Sequence, residues 1–187
     1  TTAGTAYFHL YFALPELVPE ALSALSLLCR MLGKLPTRRH DGQQLQQAIK
    51  TYLGSLEFSL VSLGRQGDPD RAWCYLLCSC SVLESNVDRA VSLIREVLLE
   101  TELNQPGAVE EILKQNYLSA QQNLIASGHQ YAFQHILAGL TAEGKAAEAI
   151  SGYGFYRYLR AKAEQFDFPS LLAPMEELMG SLSRLPM

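Results

Sequence analysis

Several things are missing from this sequence, and each absence removes a class of function. No apolar run approaches the roughly 20 residues that a membrane-spanning helix needs. The first residues, Thr1-Thr2-Ala3-Gly4, carry neither the basic stretch nor the apolar run of a secretory leader. There is no initiator methionine, and a strand-like segment starts almost at once, as expected of a processed product or an excised piece of something longer. Charge is thin and nearly balanced: 15 Lys+Arg against 19 Asp+Glu give a net charge of -4. The basic residues are scattered, which argues against a nucleic-acid surface, and no membrane contact is expected.

Cysteine is scarce as well. Cys29, Cys74, Cys78 and Cys80 form no CxxC and no second Cys/His pair at zinc-finger spacing. Three of them alternate along one apolar segment and share a face if it is a strand. They read as reduced core thiols, which fit a bacterial cytoplasm or an organelle matrix better than secretion. Catalytic signatures are absent too. His9, His40, His129 and His135 fall in neither HExxH nor HxxEH; there is no GxSxG and no GxxxxGK[ST]. Gly152-Tyr153-Gly154 lacks the preceding strand and third glycine of a phosphate loop. His129 and His135 stand six apart, a poor spacing for two ligands on one helix face, and His129 is expected to hydrogen-bond at a helix kink. The adjacent pairs Glu110-Glu111 and Glu176-Glu177 read as solvated faces. Tyr153, Tyr156 and Tyr158 read as core or interface tyrosines.

What is present is a hydrophobic fraction of 48% in a chain of 187 residues, enough for one sizeable core. Thr5–Leu14 alternates strictly, with Phe8, Leu10, Phe12 and Leu14 on one side and Tyr7, His9, Tyr11 and Ala13 on the other. That is a strand, ended by Pro15 and Pro19. A helix follows over Glu20–Leu32, with Gly33 at its end. Asp41 and Gln44 open a second helix in a capping box, carrying Leu45, Ala48, Ile49 and Tyr52, and Gly54 stops it. Leu56–Leu63 and Trp73–Val82 form a hairpin around a rather long loop, Gly64–Asp70. Ser85 and Asp88 pattern as another cap, for a helix with Val87, Ala90, Val91, Ile94, Val97 and Leu98 on one face.

Only helices come after that. One runs from about Ala108, with Leu113, Tyr117, Ala120 and Leu124 in register, and is interrupted at Ser127-Gly128-His129. A stripe of Phe133, Ile136, Leu137 and Leu140 continues it. A short piece lies between Gly144 and Gly152, then Phe155–Phe166, ended by Pro169, then a last helix over Leu171–Leu185. The order predicts an α+β fold in one domain over 1–187, a mainly antiparallel sheet with helices packed on one face.

The segments Tyr7–Phe12, Leu27–Thr37, Gln43–Leu53, Ser55–Ser59, Ser127–Ala132 and Gly152–Leu159, taken in order and spacing, resemble a known family. The chain is similar to the associated, non-catalytic region of presequence-protease-like metallopeptidases in the pitrilysin/insulinase superfamily, over roughly Thr5 to Asp167. The resemblance implies a metallohydrolase-like (mitochondrial processing peptidase-like) domain, the third of four, incomplete here at its C-terminus and part of a longer multidomain peptidase. In that family the domains close around a chamber that holds unfolded peptides, and zinc sits on an HxxEH helix of the first domain. Here Leu27, Arg30 and Met31 stand in the frame of that His, Glu and His, so no cofactor is expected in this chain and zinc is expected in the catalytic domain of the parent.

The implied function is a non-catalytic part of the chamber wall, with peptide and the parent's other domains as partners. The helix-facing side of the sheet is expected to carry Phe8, Leu10, Phe12, Leu56, Phe58, Leu60, Cys74, Leu76, Cys78 and Cys80. The opposite side would present Tyr7, His9, Tyr11, Glu57, Ser59, Trp73 and Tyr75 to peptide, with Val61, Leu77, Ser79 and Ser81 between them. Contact of that side with another domain is the equal alternative. A stand-alone protein- or peptide-binding module without enzymatic activity is the alternative for the whole chain.

Overall fold

A computed structural model describes residues 4–182. Strand β1 (Thr5–Ala13) leads to helices α1 (Pro19–Met31) and α2 (Gly42–Tyr52). The hairpin strands β2 (Leu53–Arg65) and β3 (Asp68–Leu83) follow, and a single 3-10 turn, Glu84–Asn86, leads into α3 (Val87–Glu100). Then come α4 (Pro106–Ala126), α5 (Gly128–Ala138), α6 (Ala142–Ser151), α7 (Tyr153–Glu164) and α8 (Phe168–Leu182). The three strands form an antiparallel sheet in the order β1-β3-β2. The architecture is the expected α+β arrangement, with helices on one side of the sheet.

Local chemistry accounts for most boundaries. Pro19 occupies the first turn of α1, where its missing N–H costs nothing. Gly33 follows α1 with φ +77° and turns the chain after its last residues. The capping box of α2 forms as the sequence predicts: Gln44 N donates to Asp41 Oδ1 at 2.8 Å and Asp41 N to Gln44 Oε1 at 3.1 Å. The core lies between the sheet and the helices. Leu27, Leu28 and Met31 of α1, Leu76 and Cys78 of β3, and Val97, Leu113, Leu159 and Leu171 are buried together. Burying each such aliphatic side chain contributes about 1.5–3 kcal/mol.

Several expectations need correction. The hairpin loop is short, not long: Arg65 pairs with Asp68, and the turn is Gln66-Gly67, with Gly67 at φ +79°. Asp68, Pro69 and Asp70 extend β3 instead of forming a loop. A two-residue hairpin needs positive φ, and glycine supplies it without steric cost. Gly54 does not stop α2, which ends at Tyr52. It sits in β2 at a register shift between Leu53 and Ser55, where the backbone runs close to Ser81. Ser85 and Asp88 make no cap; Asn86 holds the N-cap position of α3 without a capping bond, and its Nδ2 donates instead to Tyr52 O at 3.2 Å. Pro169 opens α8 instead of ending α7, which stops at Glu164.

Leu10 is exposed, although its side of β1 is apolar. The helices that lie on the sheet pack mainly over β2 and β3, and β1 is an edge strand beyond them. The stripe Phe133, Ile136 and Leu140 is also exposed, because α5 turns its other side to α6; Leu137 is half-buried. The last helix ends at Leu182, so the expected stretch from Ser183 to Leu185 lies outside the described residues.

Candidate functional site

The sheet has two unlike sides. Phe58, Leu60, Leu76, Cys78, Cys80 and Val82 point into the core, with Phe8, Phe12, Leu56 and Cys74 half-buried beside them. Strand alternation therefore sends Tyr7, His9, Tyr11, Glu57, Ser59, Trp73 and Tyr75 to the other side. Register arranges them in rows. His9 and Glu57 flank Ser79, Tyr11 and Ser59 flank Leu77, Ala13 and Val61 flank Tyr75, and Leu63 pairs with Trp73.

This side is graded along the strands. Near the hairpin it is aromatic and aliphatic: Trp73 is 50% exposed, Leu63 is exposed, and Tyr11 meets Tyr75 edge to face at 6.1 Å. Toward the start of β1 it is polar. Ser79 Oγ lies 3.2 Å from His9 Nδ1, and Ser55 Oγ lies 2.8 Å from Ser81 Oγ. All seven singled-out residues are thus on one side of one sheet. The rings offer broad apolar area, and the hydroxyl, imidazole and carboxylate groups offer hydrogen-bond donors and acceptors.

The position that the resemblance equates with a zinc helix cannot serve zinc here. Leu27 and Met31 are fully buried in the core of α1. The Arg30 guanidinium stacks on the Phe155 ring at 4.9 Å and reaches Asn116 Oδ1 at 3.4 Å. Burial pushes the Arg30 pKa down, though a guanidinium remains a cation. Neither an imidazole ligand nor a carboxylate to activate water is present, so the residues do not fit the metal. Among the described residues, no three His, Cys, Asp or Glu side chains gather in a way that could hold a metal ion.

Two buried carboxylates were not picked out by sequence reasoning. Glu96 of α3 receives the Thr37 hydroxyl and lies 2.7 Å from His40 Nδ1. Burial pushes its carboxyl up, but the hydrogen bonds from His40 and Thr37 and the nearby positive charge outweigh that, and the pKa falls below the usual value. Arg39 pairs with Glu100 one turn further on, at 2.7 Å and 2.8 Å. Together these bonds fasten the segment after α1 to the end of α3.

The second carboxylate, Glu148 of α6, accepts from Gly154 N at 3.0 Å and lies 2.9 Å from His135 Nδ1. It satisfies an orphan N–H at the start of α7, while its Oε2 is buried without a hydrogen-bond partner. A cleft of about 660 Å³ beside it is lined by Glu20, Lys145, Arg157, Arg160 and Glu164. Ser23, which lines it, donates its hydroxyl to Ala149 O at 2.7 Å, so this serine is held by the backbone and not by a base. Both carboxylates have structural roles. The signal that could have found them is their position on the apolar stripe of a helix, where an acidic residue must have a partner.

The remaining flagged residues have structural surroundings. His129 is exposed at the junction of α4 and α5. Tyr156 stacks between Tyr117 at 5.9 Å and Tyr153 at 5.9 Å, and burial raises the Tyr158 hydroxyl to about 12. Glu110 pairs with Lys114 at 2.6 Å, and Glu111, Glu176 and Glu177 are exposed. The four cysteines are free thiols. Burial raises Cys29 and Cys78 to about 12 and moves Cys74 and Cys80 in the same direction, so thiolate chemistry is suppressed. No helix among the described residues is long and apolar enough to cross a membrane.

Comparison with known proteins adds a family. The associated region of the M16 peptidases, subfamily C, matches residues 1–161. Protein HypA of Clostridium perfringens is 26% identical over 153 residues, covering 82% of this chain and 16% of its own. The mitochondrial presequence protease of Yarrowia lipolytica is 23% identical over 180 residues, covering 95% of this chain and 18% of its own. That of Danio rerio is 22% identical over 181 residues, covering 97% and 18%. The chain thus spans less than a fifth of the length of these curated relatives.

Proposed function

The chain belongs to the peptidase-associated family of M16 peptidases, subfamily C, and from that premise we propose that it is a non-catalytic domain of a longer zinc-dependent peptidase of the presequence protease/insulinase type, the third domain in order. In this reading the outer side of its sheet is part of the wall that encloses a peptide. The observation that carries it is the contrast between the two sides. Helices close one, while the other leaves Tyr7, Tyr11 and Trp73 exposed among serines, His9 and Glu57. An aromatic patch of this kind is unusual on a surface that meets only water. It suits an extended peptide whose side chains vary but whose backbone always needs hydrogen-bond partners.

The residues take separate parts. Tyr11, Trp73 and Tyr75 hold apolar side chains of the peptide. Ser59, His9 and the Tyr7 hydroxyl meet backbone amides and carbonyls. Glu57 gives the wall one negative charge. Hydrolysis belongs elsewhere in the polypeptide, where an HxxEH helix with zinc would polarise the peptide carbonyl and activate water. The partners are the other domains of that polypeptide and the peptide itself, without nucleic acid or membrane. The free thiols, and the mitochondrial and clostridial relatives, support an organelle matrix or a bacterial cytoplasm.

The test is photo-crosslinking in the full-length polypeptide, with its zinc helix inactivated so that an unfolded peptide stays bound. A photoreactive side chain at position 11 or 73 is expected to capture the peptide; one at the exposed Arg95 of α3 is not. Capture at Arg95 but at neither sheet position contradicts the reading. So does a native polypeptide no longer than this chain, which would make it a stand-alone binding module.

A further inference from the structure

From Gln115 to Ala142 the sequence holds no aspartate, glutamate, lysine or arginine. That stretch covers the second half of α4, all of α5 and the turn into α6. Surface helices ordinarily carry charge on the side away from the core. Here α5 turns one side to α6: Gln134 Nε2 donates to Ala147 O at 2.8 Å, and His135 meets Glu148. Its other side carries Phe133 and Ile136, each 62% exposed, and the stripe continues to Leu140, 65% exposed. Spacing of three and four places them in one row. Ile125, just before the Ser127 junction, is 81% exposed.

This row differs from the outer side of the sheet in one decisive respect. The Phe133, Ile136 and Leu140 side chains have no hydrogen-bonding group. An extended peptide laid on them would lose water from its backbone amides and gain nothing in return. A folded surface would not, because its backbone groups are already paired internally. Interfaces of that permanent kind are the more apolar ones. The relatives supply the place to look, since this chain is less than a fifth of each.

We propose that the Phe133–Ile136–Leu140 row docks permanently on an apolar, charge-poor folded surface of the same polypeptide, formed by residues outside these 187. The proposal rests on the reading of the chain as one part of a longer peptidase, but not on where the peptide binds.

The experiment places single cysteines in the full-length polypeptide and measures native maleimide labelling, with the parent protein's own thiols as baseline. Ile136→Cys is expected to react at least about tenfold more slowly than Arg71→Cys on the exposed hairpin, and as fast after denaturation. Phe133→Cys gives the same readout should Ile136→Cys fail to fold. Equal native rates overturn the proposal. Protection that disappears on dilution to a monomer assigns the row to a second copy and also overturns it. Slow labelling in a polypeptide that binds no peptide at its sheet supports the docking and sinks the peptide reading alone. Fast labelling in one that does bind peptide sinks the docking alone.

Discussion

Glu96 shows how a single buried charge is kept. It is nearly out of water, and both Thr37 and His40 donate to it. A carboxyl whose folded pKa lies below its ordinary value of 4.5 stabilises the fold above that pH. The contribution is lost as pH falls from there through the lower folded value. Glu96→Gln keeps the shape but weakens both hydrogen bonds. It is expected to cost about 1–3 kcal/mol at pH 7 and to flatten the fall of melting temperature with acid below about pH 4.5. Melting curves of the two proteins between neutral and acid pH check this; parallel curves would deny Glu96 the role. The sequence offered little warning of this cluster, because Thr37, His40 and Glu96 are joined only when the segment after α1 reaches α3. The alternation that placed Tyr7, His9 and Tyr11 on one side of β1 is local, and so it was legible.

Among the elements, α5 and α6 approach closely at Gly144. A Cβ on Gly144 would stand 2.3 Å from the carbonyl oxygen of Leu137 and 2.5 Å from its carbon, both backbone atoms that cannot swing aside. Gly144→Ala must therefore push the helices apart. A loss of about 1–3 kcal/mol, the usual range for overpacking, is expected and is measurable by urea titration. An unchanged midpoint would mean the pair is looser than described. On the far side, α1 lies against α6 through small residues, with Ser23 and Ser26 bonded to the Ala149 and Ile150 carbonyls at 2.7 Å each.

Periodicity found nearly every one of these helices, because each has an apolar stripe. It does not tell what the stripe of α5 faces, since an apolar row looks the same whether it meets the core or a partner. The prolines misled for a related reason: Pro169 breaks a helix behind it and starts one ahead equally well, and sequence alone does not say which.

At the scale of the whole molecule, the described residues present two apolar surfaces of different chemistry. The outer side of the sheet mixes rings with hydroxyls and one carboxylate; the row on α5 is bare hydrocarbon. In the proposed reading the first meets a peptide that comes and goes, and the second makes a contact that stays. The absence of zinc ligands in α1 follows from its sequence, with Leu27 and Met31 given over to the core. Nothing in the order of the residues announced that β1, at the sheet's edge, would lie beyond the helical layer and leave Leu10 exposed. That depends on where each helix finally rests.

The most direct test of the account is peptide cleavage by the full-length polypeptide carrying Tyr11→Ala and Trp73→Ala together. Both rings lie on the outer side of the sheet, away from the core, so the fold should persist, and circular dichroism would confirm it. A wall that holds the peptide but takes no part in the chemistry would give a KM raised by about tenfold, equivalent to about 1.4 kcal/mol of lost binding, with kcat within about twofold of the original. An unchanged KM would contradict it, and would leave the outer side of the sheet as a contact with another domain.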